Sequence, residues 1–283
     1  MGLLDYFKPV QTWSAEQVRQ YLDTHRPQDY NLVDVRQPGE YREGHLPGAQ
    51  LIPVKELEGR LGELDPGKQT ITYCAAGVRS RAGTSILQNA GFEKVVSMSG
   101  GIHGWKGMVA EGELELNRAW FSTARSPEDY IGLSWLLEDG TRQFYAELEK
   151  TAENDDFKSF FRELVTAEEQ HKSSLRTLYQ GLHENHSHRK FPEAVVSELP
   201  PRTMLEGGVP LTEALQWVEG KSLHQVLQLA VALEANAYDR YLLMRREAGD
   251  EQSRSIFNHL AEEEKIHLQL LSDRLDRILE NPV

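Results

Sequence analysis

Glu138, Glu168 and His171 recur 96 positions later as Glu234, Glu264 and His267. In each copy a glutamate is followed thirty residues on by Glu-x-x-His. Residues three apart share a helix face, so each Glu-x-x-His presents a carboxylate and an imidazole together. In a helical hairpin, positions equidistant from the turn come to the same height. The midpoint of Glu138 and Glu168 is position 153, inside Glu153-Asn154-Asp155-Asp156. The midpoint of Glu234 and Glu264 is Gly249, inside Glu247-Ala248-Gly249-Asp250. Both stretches have turn composition. Two such hairpins packed together gather four carboxylates and two imidazoles, a donor set for two divalent cations. Buried without metal, that many carboxylates would be severely destabilising. The identical offsets in both copies argue against a reading as solvated, charge-rich faces.

The second chemical feature is Cys74, which ends an apolar run and precedes Ala75-Ala76-Gly77-Val78-Arg79-Ser80 and then a helical stretch. A thiol at a strand-to-helix turn meets the positive end of the helix dipole and a ring of backbone N–H groups. Both stabilise the thiolate. Gly77 lets the loop close and Arg79 adds a fixed positive charge, which makes a cradle for an anion at sulfur. Cysteine phosphatases wrap a phosphate with Cys-x5-Arg, whereas only four residues separate Cys74 from Arg79. The shorter loop suits sulfur rather than a phosphoryl group.

The elements that must position these groups differ between the two halves. Ser14 and Gln17 form a candidate capping box before a helix. Residues 31–35, 69–74 and 94–98 read as short buried strands, and 55–64 and 79–91 as helices, the latter closed by Gly91. Short buried strands alternating with helices imply an α/β domain with a largely parallel sheet. Residues 106–126 lack a clear period. From Ser126-Pro127 onward, with Glu128-Asp129 in the first turn, long helices dominate. A crossover at about 180–222 separates the hairpins and contains a helix at TEALQWVEG. The expected organisation is 1–110, a linker at 111–126 and a helical domain at 127–283.

In the first half, Asp34-Val35-Arg36, Glu40-Tyr41, Gly44-His45-Leu46-Pro47-Gly48-Ala49, Cys74-x-x-Gly77-x-Arg79-Ser80, Gly100-Gly101 and Trp105 follow one another in an order and spacing that resembles the rhodanese family. The resemblance covers nearly all of residues 10–107. It implies a parallel sheet flanked by helices, and a sulfurtransferase in which Cys74 takes sulfane sulfur as a persulfide, a reversible thiol cap. Arg79 and the loop amides of Ala75, Ala76, Gly77 and Val78 would hold the charged sulfur or the anionic end of a small donor. Asp34, Arg36, Glu40 and His45 read as structural, with Arg36 the one best placed to touch substrate, and Trp105 as core. With one cysteine in the chain, the acceptor must be an external thiol, cyanide or another protein.

The second half resembles the ferritin-like di-iron proteins, rubrerythrin most closely, over roughly 128–180 and 223–278. The resemblance implies an all-α four-helix bundle with two iron ions on Glu138, Glu168, His171, Glu234, Glu264 and His267. Glu168 and Glu264 would bridge, and other divalent metals suit the same donors. Tyr145 and Tyr241 are candidate partners of the ligands, a role weighed against simple core packing. Two departures stand out: Ala237 occupies a position where rubrerythrin has a further glutamate, and the four-cysteine iron module is missing. Electrons for oxygen or peroxide chemistry would therefore come from an external donor. The joined reading is a sulfurtransferase coupled to a di-iron domain. In the alternatives the bundle is a sensor or an oligomerisation scaffold, or it oxidises sulfur carried by Cys74. His183, His186 and His188 read as a solvated polar loop.

Bulk properties narrow the partners. The 283 residues carry a formal net charge of -13, which disfavours nucleic acid and anionic membrane surfaces. A mean hydropathy of -0.54 and the absence of a long apolar run argue against a membrane span. MGLLDYFKPV lacks signal-peptide character, and Tyr6 breaks the myristoylation pattern, so the expected location is the cytoplasm. A homodimer is expected, with hairpins either retained within one chain or exchanged between two.

Overall fold

The computed structural model describes residues 10–112, 124, 126–152, 154–182, 191–192 and 203–280, with side chains described up to 275. The chain divides into two compact units, Met1–Glu113 and Leu114–Val283. The expected linker at 111–126 and the histidines at 183, 186 and 188 fall largely or wholly outside the described residues.

The first unit is a five-stranded, all-parallel sheet in the order β1-β5-β4-β2-β3. Its strands are β1 (Thr12–Trp13), β2 (Tyr30–Asp34), β3 (Gln50–Leu51), β4 (Gln69–Tyr73) and β5 (Val95–Met98). Helices α1 (Ala15–Thr24), α2 (Pro38–Arg42) and α3 (Val78–Asn89) connect them. Ser14 and Gln17 close the expected capping box on α1. The stretch expected as a helix at 55–64 is a 3-10 helix over Leu57–Glu63, broken at Arg60. Gly59 and Gly62 lower its helix propensity. The two-residue strands β1 and β3 are too short to show a sequence period. Asp34 pairs with Tyr73, so the carboxyl ends of β2 and β4 lie side by side. Cys74 is the next residue, at the sheet edge where open α/β folds bind their ligands.

The second unit contains the long helices α4 (Pro127–Thr151), α5 (Asp155–Leu182), α7 (Leu223–Glu247) and α8 (Glu251–Glu280), with the short α6 (Leu211–Val218) before α7. Capping boxes at Ser126/Asp129 and Ser222/Gln225 start α4 and α7. Gly249 falls in the break between α7 and α8, and position 153 lies outside the described residues. Two apolar clusters fill the interior, each drawing on all four long helices. Ile131, Leu137, Leu175, Tyr241, Phe257 and Leu260 belong to one. Phe144, Phe161, Leu164, Leu227, Leu233 and Leu271 belong to the other. Along every long helix the repeated glutamates and histidines lie between these clusters, so a polar layer is sealed above and below by hydrocarbon. Among the described residues no helix is long and apolar enough to cross a membrane.

The described end of the crossover makes a tight turn. Leu205 N–H donates to the Val209 carbonyl and Leu211 N–H to the Thr203 carbonyl. Gly208 takes a φ of 81° within it. The turn docks closely on its neighbours. A Cβ at Gly140 of α4 would overlap the Met204 carbonyl, and one at Gly207 would overlap the Leu233 side chain.

Candidate functional sites

Cys74 is 1% exposed at the mouth of a loop that turns directly into α3. Gly77 caps α3 with φ of 91°, and its N–H donates to Cys74 Sγ at 3.1 Å. The carbonyls of Cys74 and Ala75 point away and accept from Ile102 N–H at 2.8 Å and His103 N–H at 3.1 Å. Gly101 permits that contact: with φ of 56°, its Cβ would collide with both carbonyls. Burial opposes ionisation of the thiol. The N–H and hydroxyl of Ser80 and the N–H groups of Ala76 and Gly77 outweigh it, and hold the Cys74 pKa below its ordinary value. Ser80 is fixed in turn by its hydroxyl, 2.8 Å from that of Ser97.

Around this loop Ala75 is half-buried, and Ala76 and Val78 are exposed. Arg79 makes a two-point pair with Glu40, with both contacts at 2.7 Å. The guanidinium drives the Glu40 pKa down to about 2. Arg36, read as structural though the best placed of its group to touch substrate, is tied into the fold. It pairs with buried Asp34 at 2.7 Å and donates to the Gly44 carbonyl at 2.6 Å. Its place beside β2 gives it a buried carboxylate as nearest partner, which spacing alone does not reveal. His45 stacks on Tyr41, and Trp105 donates to the Met108 carbonyl.

In the helical unit the six repeated residues meet. Glu138, Glu168, Glu234, Glu264, His171 and His267 are all buried. Glu138 and His171 lie together with Glu264, and Glu234 and His267 likewise with Glu264, each set having ligand atoms within 4.8 Å of one another. Glu168 joins both imidazoles in a third set. Glu168 and Glu264 thus reach both halves, while Glu138 and Glu234 each belong to one. His171 Nδ1 is 3.2 Å from Glu138 Oε2, and His267 Nδ1 is 3.6 Å from Glu168 Oε1. The two rings stack at 4.2 Å. Tyr145 donates its hydroxyl to Glu234.

Burial pushes Glu138, Glu168 and Glu264 well above the usual carboxylate range, with neighbouring carboxylates adding to the shift. Burial also opposes ionisation of Glu234, but His267, Glu264 and Tyr145 hold it low. Both oxygens of Glu168, both of Glu264 and both ring nitrogens of His267 are buried without a hydrogen-bond partner among the described residues. Native interiors rarely leave so many polar atoms orphaned in one place. Oxygen and imidazole donors converging without proton partners fit a pair of divalent cations.

One residue at this centre is absent from the repeat. Glu206, from the crossover turn, is 1% exposed and forms a further set with Glu138 and Glu168. Tyr241 donates to its Oε1 at 2.7 Å. Position 206 has no glutamate 96 residues away, so repeat-based reasoning passes over it. The usable signal was an acid flanked by Leu205 and Gly207-Gly208, in a stretch otherwise suited to close packing.

Residues 14–108 match the family model described as Rhodanese-like domain. A putative sulfur carrier protein, YrkF, of Bacillus subtilis is 33% identical over 94 residues, 33% of this chain and 50% of that protein. A sulfurtransferase of Allochromatium vinosum is 32% identical over 78 residues, 28% of this chain and 73% of that protein. The thiosulfate sulfurtransferase GlpE of Pseudoalteromonas translucida is 30% identical over 94 residues, 33% of this chain and 90% of that protein. The chain spans about half the length of the Bacillus relative. The Cys74 loop lies inside the matched segment, and through residues 14–108 this chain belongs to the rhodanese family.

Proposed function

We propose that this chain is a sulfurtransferase that carries sulfane sulfur on Cys74, joined to a ferritin-like four-helix bundle holding two iron ions. The observation that carries the first part is the Cys74 thiol, its pKa lowered by hydrogen bonds at the start of α3. In the proposed reaction the Cys74 thiolate attacks the outer sulfur of thiosulfate. The S–S bond to sulfite breaks, sulfite leaves with the electron pair, and a Cys74 persulfide forms. A thiolate or cyanide then attacks the terminal sulfur, and the electron pair of the broken S–S bond returns to Cys74. The loop N–H groups stabilise the anionic sulfur at each stage.

For the bundle, Glu138, Glu168 and His171 would hold one cation and Glu234, Glu264 and His267 the other. Bound iron supplies one-electron redox chemistry towards oxygen or peroxide. The protein's part is to fix the carboxylates, to hold a proton on Tyr145 against Glu234, and to keep bulk water out with two apolar clusters. Electrons must reach it from an external donor.

Thiosulfate:cyanide assays of Cys74→Ser test the first part, and retained activity would refute it. Metal analysis of protein from iron-replete cells tests the second. About two metals per chain are expected, as in carboxylate-bridged helical sites. The count should fall in Glu168→Ala plus Glu264→Ala, and wild-type protein without metal would refute the reading.

A further inference from the structure

The two hairpins repeat, but their tyrosines do different things. Tyr145 lies seven residues after Glu138 and donates to Glu234, the corresponding glutamate of the other hairpin. By the symmetry of the repeat, Tyr241 should donate to Glu138. It donates instead to Glu206 at 2.7 Å. A carboxylate from the crossover stands between Tyr241 and the cluster.

The second oxygen of Glu206 is buried and has no hydrogen-bond partner among the described residues. One carboxylate oxygen of Glu206 lies with one each of Glu138 and Glu168, all within 4.8 Å of one another. On α7, fully buried Ala237 sits between Glu234 and Tyr241 on the same helix face. The backbone at Glu206 is pinned from two sides. Its N–H donates to Thr141 Oγ1 at 3.0 Å, and buried Arg240 donates to its carbonyl. Gly140 and Gly207 allow the turn to approach α4 and α7 this closely.

We propose that Glu206 is a seventh ligand of the metal centre, supplied by the crossover at the cation position bounded by Glu138 and His171. The inference rests on the two-cation reading of the repeated ligands. It makes the centre unequal: one cation has an extra anionic donor and the other does not.

Cobalt(II) titration of chelator-stripped, full-length protein tests it, followed by visible absorption and calorimetry. Wild type should bind two ions in distinguishable steps. Glu206→Gln keeps an acceptor for the Tyr241 hydroxyl but removes the charge. One of the two steps should weaken at least about tenfold and its absorption band should shift, while the other step stays. Tyr241→Phe keeps the carboxylate and should retain both steps within about threefold. Unchanged cobalt binding by Glu206→Gln overturns the proposal and leaves the two-cation reading intact. Equal weakening by Tyr241→Phe and Glu206→Gln overturns it in favour of a positioning role. Failure of wild type to bind cobalt overturns both. If Glu206→Gln fails to fold, Glu206→Asp, which retains the charge but shortens the reach, should show the same weakened step, and unchanged binding would overturn the proposal.

Discussion

Tyr145 on α4 gives its hydroxyl hydrogen to Glu234 on α7, a bond that crosses from one hairpin to the other. Removing that donor leaves a buried carboxylate oxygen with nothing to accept. Tyr145→Phe should destabilise chelator-treated protein by about 1–3 kcal/mol, the usual cost of an orphaned buried acceptor. Urea unfolding followed by circular dichroism measures it. A loss below about 0.5 kcal/mol would mean the bond contributes little.

The thiol at Cys74 owes its low pKa to donors that can be removed singly. Iodoacetamide modification plotted against pH should show a midpoint below 9.0, the ordinary value for the group. The sign is plain: hydrogen bonds favour the thiolate, so modification should remain fast as pH falls into the range where a free thiol is protonated. Ser80→Ala removes the hydroxyl donor and should move the midpoint upward. A midpoint that stays put would assign the effect to the backbone alone.

Arg79 is tied to Glu40, and Glu40 neutralises part of the charge that an anionic donor would meet. Glu40→Gln should lower the KM for thiosulfate several-fold with little change in kcat, whereas Arg79→Ala should raise KM. The reverse order for the two variants would remove Arg79 from donor binding. Because Glu40 is about a third exposed, the pair itself adds little stability.

Gly101 lies directly against the Cys74 loop. Gly101→Ala places a methyl against the Cys74 and Ala75 carbonyls, in a backbone conformation that disfavours side chains. Overpacking of this kind costs about 1–3 kcal/mol. Sulfurtransfer should fall by at least tenfold even where the protein still folds, because the loop amides lose their aim. Thiosulfate:cyanide kinetics beside a melting curve separates the two effects.

The convergence of the repeated glutamates and histidines was legible because a fixed 96-residue offset and two turn-like midpoints report hairpin geometry directly. The Cys74 loop was legible because a short apolar strand, a glycine and a helix start follow one another in sequence. Glu206 was not, since its role depends on a turn docking against helices far away along the chain. The partner of Arg36 was not legible for a similar reason. Spacing placed it near the loop, while the buried carboxylate of Asp34 decided where its guanidinium went. The 3-10 segment at Leu57–Glu63 shows the limit of composition, where two glycines outweighed a charged helical pattern.

The fit of Met204 against Gly140 also bears on how this chain can change over time. Surface connections between helices ordinarily absorb insertions and deletions with little harm. The turn at 203–210 is an exception. One added or lost residue there would rotate Glu206 out of the interior and bring a different side chain to Tyr241. Length variation among descendants of this sequence should therefore accumulate elsewhere, and engineered fusions or tags should avoid this turn.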